Sequence, residues 1–72
     1  MYQTTVKIDG MMCGMCESHI NDVIRQNFLV KKVKSSHRKG ECVIQSETEL
    51  EEDRLREAIE KTGYRVLSVS RK

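Results

Sequence analysis

The first residues of the chain alternate between apolar and polar side chains. This period of two is typical of a strand that buries one face and leaves the other in water. The pattern therefore predicts a half-buried strand over residues 2–9, which ends at Gly10. The residues that share the buried face are Tyr2, Thr4, Val6 and Ile8.

Two later stretches repeat their apolar residues with the period of a helix. Ile20, Val23 and Ile24 predict an amphipathic helix over residues 16–26. A second helix is predicted over residues 49–61, where pairs of opposite charge also stand four positions apart. Its apolar stripe consists of Leu50, Leu55, Ala58 and Ile59.

Three more stretches have the composition of strands, over residues 28–36, 41–46 and 64–70. The short turn at residues 37–40 predicts that the first two of them form an antiparallel hairpin. The resulting order is strand, helix, strand, strand, helix, strand. This order predicts an α+β fold of the ferredoxin-like βαββαβ type, a four-stranded antiparallel sheet with both helices on one face.

Length and charge exclude several classes of protein. A chain of 72 residues is expected to form one domain, residues 1–72, with a single small core. The net charge of +2 is too small to indicate a nucleic-acid partner. No apolar stretch approaches the roughly 20 residues of a membrane span, so membrane insertion is not expected. The first five residues do not resemble a signal peptide, which favours a cytoplasmic location.

The chain has three cysteines, at positions 13, 16 and 42. An odd number, a Cys-x-x-Cys pair and no secretion signal argue against a framework of structural disulfides. Cys42 is predicted to be a small buried residue on the third strand.

Cys13 and Cys16 fall in the turn between the first strand and the first helix, in the segment Gly10-Met11-Met12-Cys13-Gly14-Met15-Cys16. This placement puts two sulfurs on one exposed loop, and the positive end of the helix dipole favours their thiolate forms. Thiolates bind soft metals such as Cu(I) and Zn(II). The sequence therefore predicts a metal site at this loop, although a redox-active dithiol is an alternative.

With these motifs the sequence resembles the heavy-metal-associated domains, which are small copper chaperones and the amino-terminal modules of metal-transporting P-type ATPases. The resemblance extends from about Thr4 to Val69. It rests on the cysteine segment, on Ile20 and Ile24, on Val30-Lys31-Lys32-Val33 and on Ile59-Glu60-Lys61-Thr62-Gly63-Tyr64.

The resemblance implies roles for four residues. Cys13 and Cys16 would be the metal ligands, Met11 would prop the loop against the core, and Tyr64 would lie beside the site, as in bacterial chaperones. The chain also departs from the family pattern, since it has Met12 where Thr or Ser is usual and Leu29 where Gly is usual. Ser35 and His37 stand at positions of the second strand where relatives place apolar residues.

Other residues near the loop have alternative interpretations. His19 is expected to point outward from the helix, with a role as third ligand as the alternative. Met12 and Met15 are expected to pack in the loop rather than to ligate a metal through their thioethers. His37 is expected to be solvated within a basic turn.

The function predicted from this resemblance is that of a cytoplasmic Cu(I) metallochaperone. It would pass the ion by thiolate exchange to a metal-transporting P-type ATPase or to its metal-binding domains, and a metal-bridged homodimer is left open. One alternative is that the chain is itself an amino-terminal domain of such an ATPase. Another is the handling of Zn(II), Cd(II) or Hg(II), with Asp9 and His19 as candidate extra ligands for zinc. Catalysis is not expected, because the sequence offers no nucleophile and base pair.

Overall fold

The six elements follow one another in the predicted order. The computed structural model describes residues 2–10 and 14–71, and within them it has four strands and two helices. The elements are β1 (Tyr2–Asp9), α1 (Gly14–Asn27), β2 (Lys32–Ser36), β3 (Glu41–Ser46), α2 (Glu52–Glu60) and β4 (Arg65–Arg71).

The strands form one sheet in the order β2-β3-β1-β4, and all neighbours are antiparallel. The inward residues of the sheet pack with the apolar stripes of both helices in a single core, which is the predicted two-layer arrangement. Buried members of this core include Val6, Ile8, Ile20, Ile24, Val33, Cys42, Ile44, Leu50, Leu55, Ile59 and Val66.

The second strand begins later than predicted, at Lys32 instead of residue 28. Pairing with β3 starts where the backbone N–H of Lys31 donates to the carbonyl of Gln45 at 2.8 Å. Because β3 ends at Ser46, earlier residues have no strand opposite them. Residues 28–30 therefore pass the end of the sheet as irregular chain, and Leu29 is 91% exposed.

The second helix is also shorter than predicted, because it begins at Glu52 instead of residue 49. In the connection that precedes the helix, the hydroxyl of Ser46 donates to the carbonyl oxygen of Thr48 at 2.6 Å. Glu51 still has an extended backbone, with φ −73° and ψ 129°. The first helix differs in the opposite direction, since it begins at Gly14 instead of residue 16.

A β-bulge interrupts the pairing of β1 with β4. Val6 lies opposite Val69 and Ile8 lies opposite Val66, which leaves Leu67 without a partner in the ladder. As a result, two valines that are three positions apart both face the helices, and the side chain of Leu67 is 58% exposed.

Candidate metal-binding site

Cys16 lies in the first turn of α1, at the end of the sheet where β1 stops. Its side chain is half-buried and packs against the edge of the core. The helix N-terminus gives this turn a positive partial charge, which favours a thiolate. Met11, Met12 and Cys13 lie outside the described residues, so the pairing of the two sulfurs remains a prediction.

The surface beside Cys16 is a shallow, open depression between α1 and the loop that precedes β4. Six described residues line it: Met15, Cys16, Ser18, His19, Asp22 and Tyr64. The predicted packing of Met15 in the loop is not found, because its side chain is 83% exposed. An incoming group can therefore approach this surface from solvent.

Tyr64 borders the depression, which is the position that the resemblance implied. Its ring meets the ring of His19 edge-on, with centroids 6.1 Å apart and planes at 79°. A Cβ atom at Gly10 would lie only 3.7 Å from Cδ1 of Tyr64, so the end of β1 approaches the ring closely. His19 is exposed and points outward as predicted.

The carboxylate of Glu17, the next residue after Cys16, binds the turn between β2 and β3. One oxygen, Oε2, accepts the backbone N–H of His37 at 2.8 Å and lies 2.6 Å from Nδ1 of the same residue. These hydrogen bonds hold the pKa of Glu17 below its usual value, with smaller help from the charge of Arg38. The prediction that His37 is solvated was wrong, since its side chain is half-buried and bound to α1.

Sequence reasoning missed this contact because the two residues are 20 positions apart. The available signal was the departure of His37 from the apolar pattern of the second strand. Ser35, the other departure, is explained in the same way, since its hydroxyl donates to Oδ1 of Asn21 on α1 at 2.7 Å. Polar residues on β2 and its turn are thus matched by polar residues on α1.

Two other candidate residues lie away from the depression. Asp9 is exposed at the end of β1, where it faces Arg65 across the ladder, and it does not line the surface beside Cys16. Cys42 is fully buried on β3, as predicted. Burial raises the pKa of its thiol to about 11, although a hydrogen bond with Ser35 opposes the shift. A neutral, enclosed thiol is not available to a metal.

Among residues 2–10 and 14–71, no group of three or more His, Cys, Asp and Glu side chains is arranged to hold a metal ion. A closed four-ligand site of the structural zinc type is therefore not present in that part of the chain. The described part of the site offers one sulfur at a helix N-terminus, and the imidazole of His19 lines the same depression. The helices in the described residues are too short or too polar to cross a membrane.

Comparison with known proteins identifies relatives of this chain in sequence and in fold. The chain is 31% identical over 64 residues to a mercuric reductase of Lysinibacillus sphaericus, an alignment that covers 89% of this chain and 12% of the reductase. The CopZ metallochaperone superposes with a TM-score of 0.81 at 24% identity, covering 90% of this chain and 98% of that chain. A copper binding domain from HMA7, a P-type ATPase, superposes with a TM-score of 0.80 at 19% identity, covering 97% and 99% of the two chains.

The two superpositions are at low identity and establish the fold alone. The match to a family model is more specific, because it extends over residues 5–65 and includes Cys13, Cys16 and Tyr64. Together with the βαββαβ order and the position of Cys16, this match means that the chain belongs to the heavy-metal-associated domain family.

Proposed function

We propose that this domain binds one Cu(I) ion through Cys13 and Cys16 and hands it to a P-type ATPase, or to the metal-binding domains of one, in the cytoplasm. The observation that carries the proposal is the place of Cys16 in the first turn of α1, half-exposed beside an open depression. A thiolate in this place is favoured by the helix N-terminus and can be reached by a second protein.

A Cu(I) ion that is held by only two ligands can be transferred to another protein. With two thiolate ligands, Cu(I) has room for a third, so a cysteine thiolate of the acceptor can bind before a Cys13 or Cys16 sulfur leaves. Each exchange forms one copper–sulfur bond and breaks another, and the copper stays in the Cu(I) state throughout. Met15 and His19 lie around the sulfur that an acceptor would approach, and both are exposed.

A second candidate is a mercury-handling domain that forms part of a longer protein. The 31% identity to a mercuric reductase favours this candidate. The aligned segment is 12% of that enzyme, so in the reductase the similar sequence is a small part of a longer chain. The same pair of thiolates would bind Hg(II) in a two-coordinate geometry. Zn(II) and Cd(II) are less favoured by the described residues, because these ions require further ligands and no group of three or more ligand-type side chains is found there.

The experiment is a titration of the reduced protein with Cu(I) under anaerobic conditions, against a chelator that competes for the ion. We expect one ion per chain for the natural sequence and for the Cys42→Ala control, whose thiol is buried in the core. Cys13→Ser and Cys16→Ser should each lower the affinity by orders of magnitude. If Cys16→Ser binds Cu(I) as tightly as the natural sequence, the proposal is wrong.

The same protein, titrated with Hg(II) and Zn(II) and then challenged with Cu(I), separates the two candidates. Retention of Hg(II) against excess Cu(I), combined with no transfer of Cu(I) to an ATPase metal-binding domain, would favour the mercury-handling domain. Sedimentation of the protein with and without Cu(I) tests whether the ion bridges two copies.

A further inference from the structure

The turn between β2 and β3 contacts both flanks of the cysteine segment. On one side, the backbone N–H of Ile8 in β1 donates to the carbonyl of Gly40 at 2.7 Å. On the other side, Oε2 of Glu17 in α1 accepts the backbone N–H of His37 at 2.8 Å and meets Nδ1 of the ring at 2.6 Å. One short turn therefore ties the strand that precedes the segment to the helix that follows it.

The first turn of α1 benefits from such support, because the ends of helices fray. Gly14 and Met15 are both exposed, and a Cβ built at Gly14 would have no described atom within 4 Å outside its chain neighbours and its own helix backbone. Among the described residues of this turn, Cys16 packs on the edge of the core and Glu17 binds the turn between β2 and β3. When Cys16 exchanges metal, the hydrogen bonds of Glu17 with His37 can keep the adjacent backbone in place.

We propose that His37 is a positioning residue for the metal site: by holding Glu17, it fixes the first turn of α1, and with it the Cys16 sulfur, relative to the end of β1. The inference rests on the proposed metal binding by Cys16. His37 does not touch the ion. It acts on the ligand through the neighbouring residue, one step farther out than the groups that hydrogen-bond directly to metal ligands in other sites.

The charge of Glu17 gives the contact a second effect. A carboxylate next to a pair of thiolates adds a third negative charge, which opposes further negative charge at the site. The two hydrogen bonds from His37 hold this carboxylate toward the basic turn, where Arg38 also lowers its energy. If Glu17 were released, its negative carboxylate could move toward the thiolates, and the first turn of α1 would also become less ordered.

The chain contains a matched control for this role. Ser35 donates to Asn21 at 2.7 Å, so it ties β2 to α1 by a polar contact of the same kind, farther along the helix from Cys16. Loss of either tie should destabilise the fold. Only loss of the His37 tie should change the metal site.

The test compares His37→Ala, His37→Asn and Asn21→Ala in the full chain. Cu(I) is loaded, and its release to a chelator is timed at pH 7, while the unfolding midpoint of each apo protein is measured separately. His37→Ala removes the ring bond to Glu17 and leaves the backbone N–H bond, so we expect release to be about three- to tenfold faster, as the loss of one hydrogen bond would give. His37→Asn should restore most of the difference, because its amide N–H can take the place of Nδ1. Asn21→Ala should lower the unfolding midpoint and leave the release rate unchanged.

A second readout needs no metal. The backbone order parameters of residues 14–17, from NMR relaxation of the apo protein, should fall in His37→Ala and stay unchanged in Asn21→Ala. If the natural sequence fails to bind Cu(I), the proposed function is wrong, and these order parameters still decide the positioning role. If His37→Ala and Asn21→Ala speed release in proportion to their loss of stability, or leave residues 14–17 equally ordered, His37 has only a structural role.

Discussion

Ser35 and Cys42 face each other across the β2–β3 hairpin, and both side chains are buried in the core. The hydroxyl of Ser35 donates to Oδ1 of Asn21, so a polar contact links β2 to α1. Burial nevertheless dominates at Cys42 and raises the pKa of the thiol to about 11. The two cysteines that the structure describes are therefore of different kinds, with Cys42 enclosed in the core and Cys16 half-exposed at a helix N-terminus.

The first prediction concerns the reactivity of Cys42. In the Cys13→Ser/Cys16→Ser protein, the remaining thiol should not react with a water-soluble disulfide reagent at pH 8 while the protein is folded, because reaction requires an exposed thiolate. It should react fully once urea unfolds the chain. Absorbance of the released thiol product measures both. Rapid reaction of the folded protein would mean that Cys42 is not enclosed in solution.

The second prediction is a loss of stability at high pH in the same protein. The pKa of the Cys42 thiol is about 11 in the folded chain and 9.0 for the ordinary group, so the folded state holds its proton more tightly. The stabilisation is complete below pH 9 and is lost as the pH rises from about 9 to 11, by about 3 kcal/mol in total.

Urea unfolding between pH 8 and pH 11 measures this loss, and Cys42→Ala in the same background is the control. Lysine and tyrosine ionisation affects both proteins, so the difference between their pH profiles isolates Cys42. Parallel profiles would contradict the prediction.

The third prediction concerns Thr4, which is 1% exposed and whose hydroxyl has no hydrogen-bond partner among the described residues. An unsatisfied buried hydroxyl costs about 1–3 kcal/mol, so Thr4→Val should raise the free energy of unfolding by about 1 kcal/mol. Ser46→Ala is the matched control. Its hydroxyl is equally buried but donates to Thr48, so its loss should destabilise the protein by about 1 kcal/mol. Equal changes in urea midpoint for the two variants would argue against this account.

The fold could be predicted for those side chains whose burial depends only on the apolar spacing within one strand or helix. Val6 and Ile8 in β1, and Ile20 and Ile24 in α1, are buried as their spacing indicates, because strand and helix periods place them on one face whatever their partners. The exposure of Leu67 could not be predicted, since it depends on the register of β4 against β1.

The same distinction applies to the candidate site. The cysteine segment and the accompanying motifs predicted the family, which the family match confirms. The resemblance also implied that Tyr64 lies beside the site, and Tyr64 lines the same depression as Cys16. It did not reveal that Glu17 binds His37, because that contact joins distant parts of the chain across the fold. A ligand motif is local in sequence, whereas the groups that hold a ligand in place are brought together only by tertiary structure.

The last prediction concerns Gly40, which closes the turn between β2 and β3. Its φ of +65° lies in the left-handed region, and a Cβ atom there would lie 3.3 Å from the carbonyl oxygen of Ile8. Gly40→Ala should therefore lower the free energy of unfolding by about 1–2 kcal/mol, from the backbone conformation alone.

Gly14→Ala is the natural comparison, because Gly14 is helical and a Cβ there meets nothing within 4 Å. That substitution should leave the apo protein equally stable or more stable by up to about 1 kcal/mol, since alanine favours the helix. Urea unfolding of the two apo variants at pH 7 measures both effects.

A Gly40→Ala protein as stable as the natural sequence would show that this turn can relax, in which case it could not hold the end of β1 in place. Because the Ile8 N–H also bonds to the Gly40 carbonyl, we expect Gly40→Ala to speed Cu(I) release as well.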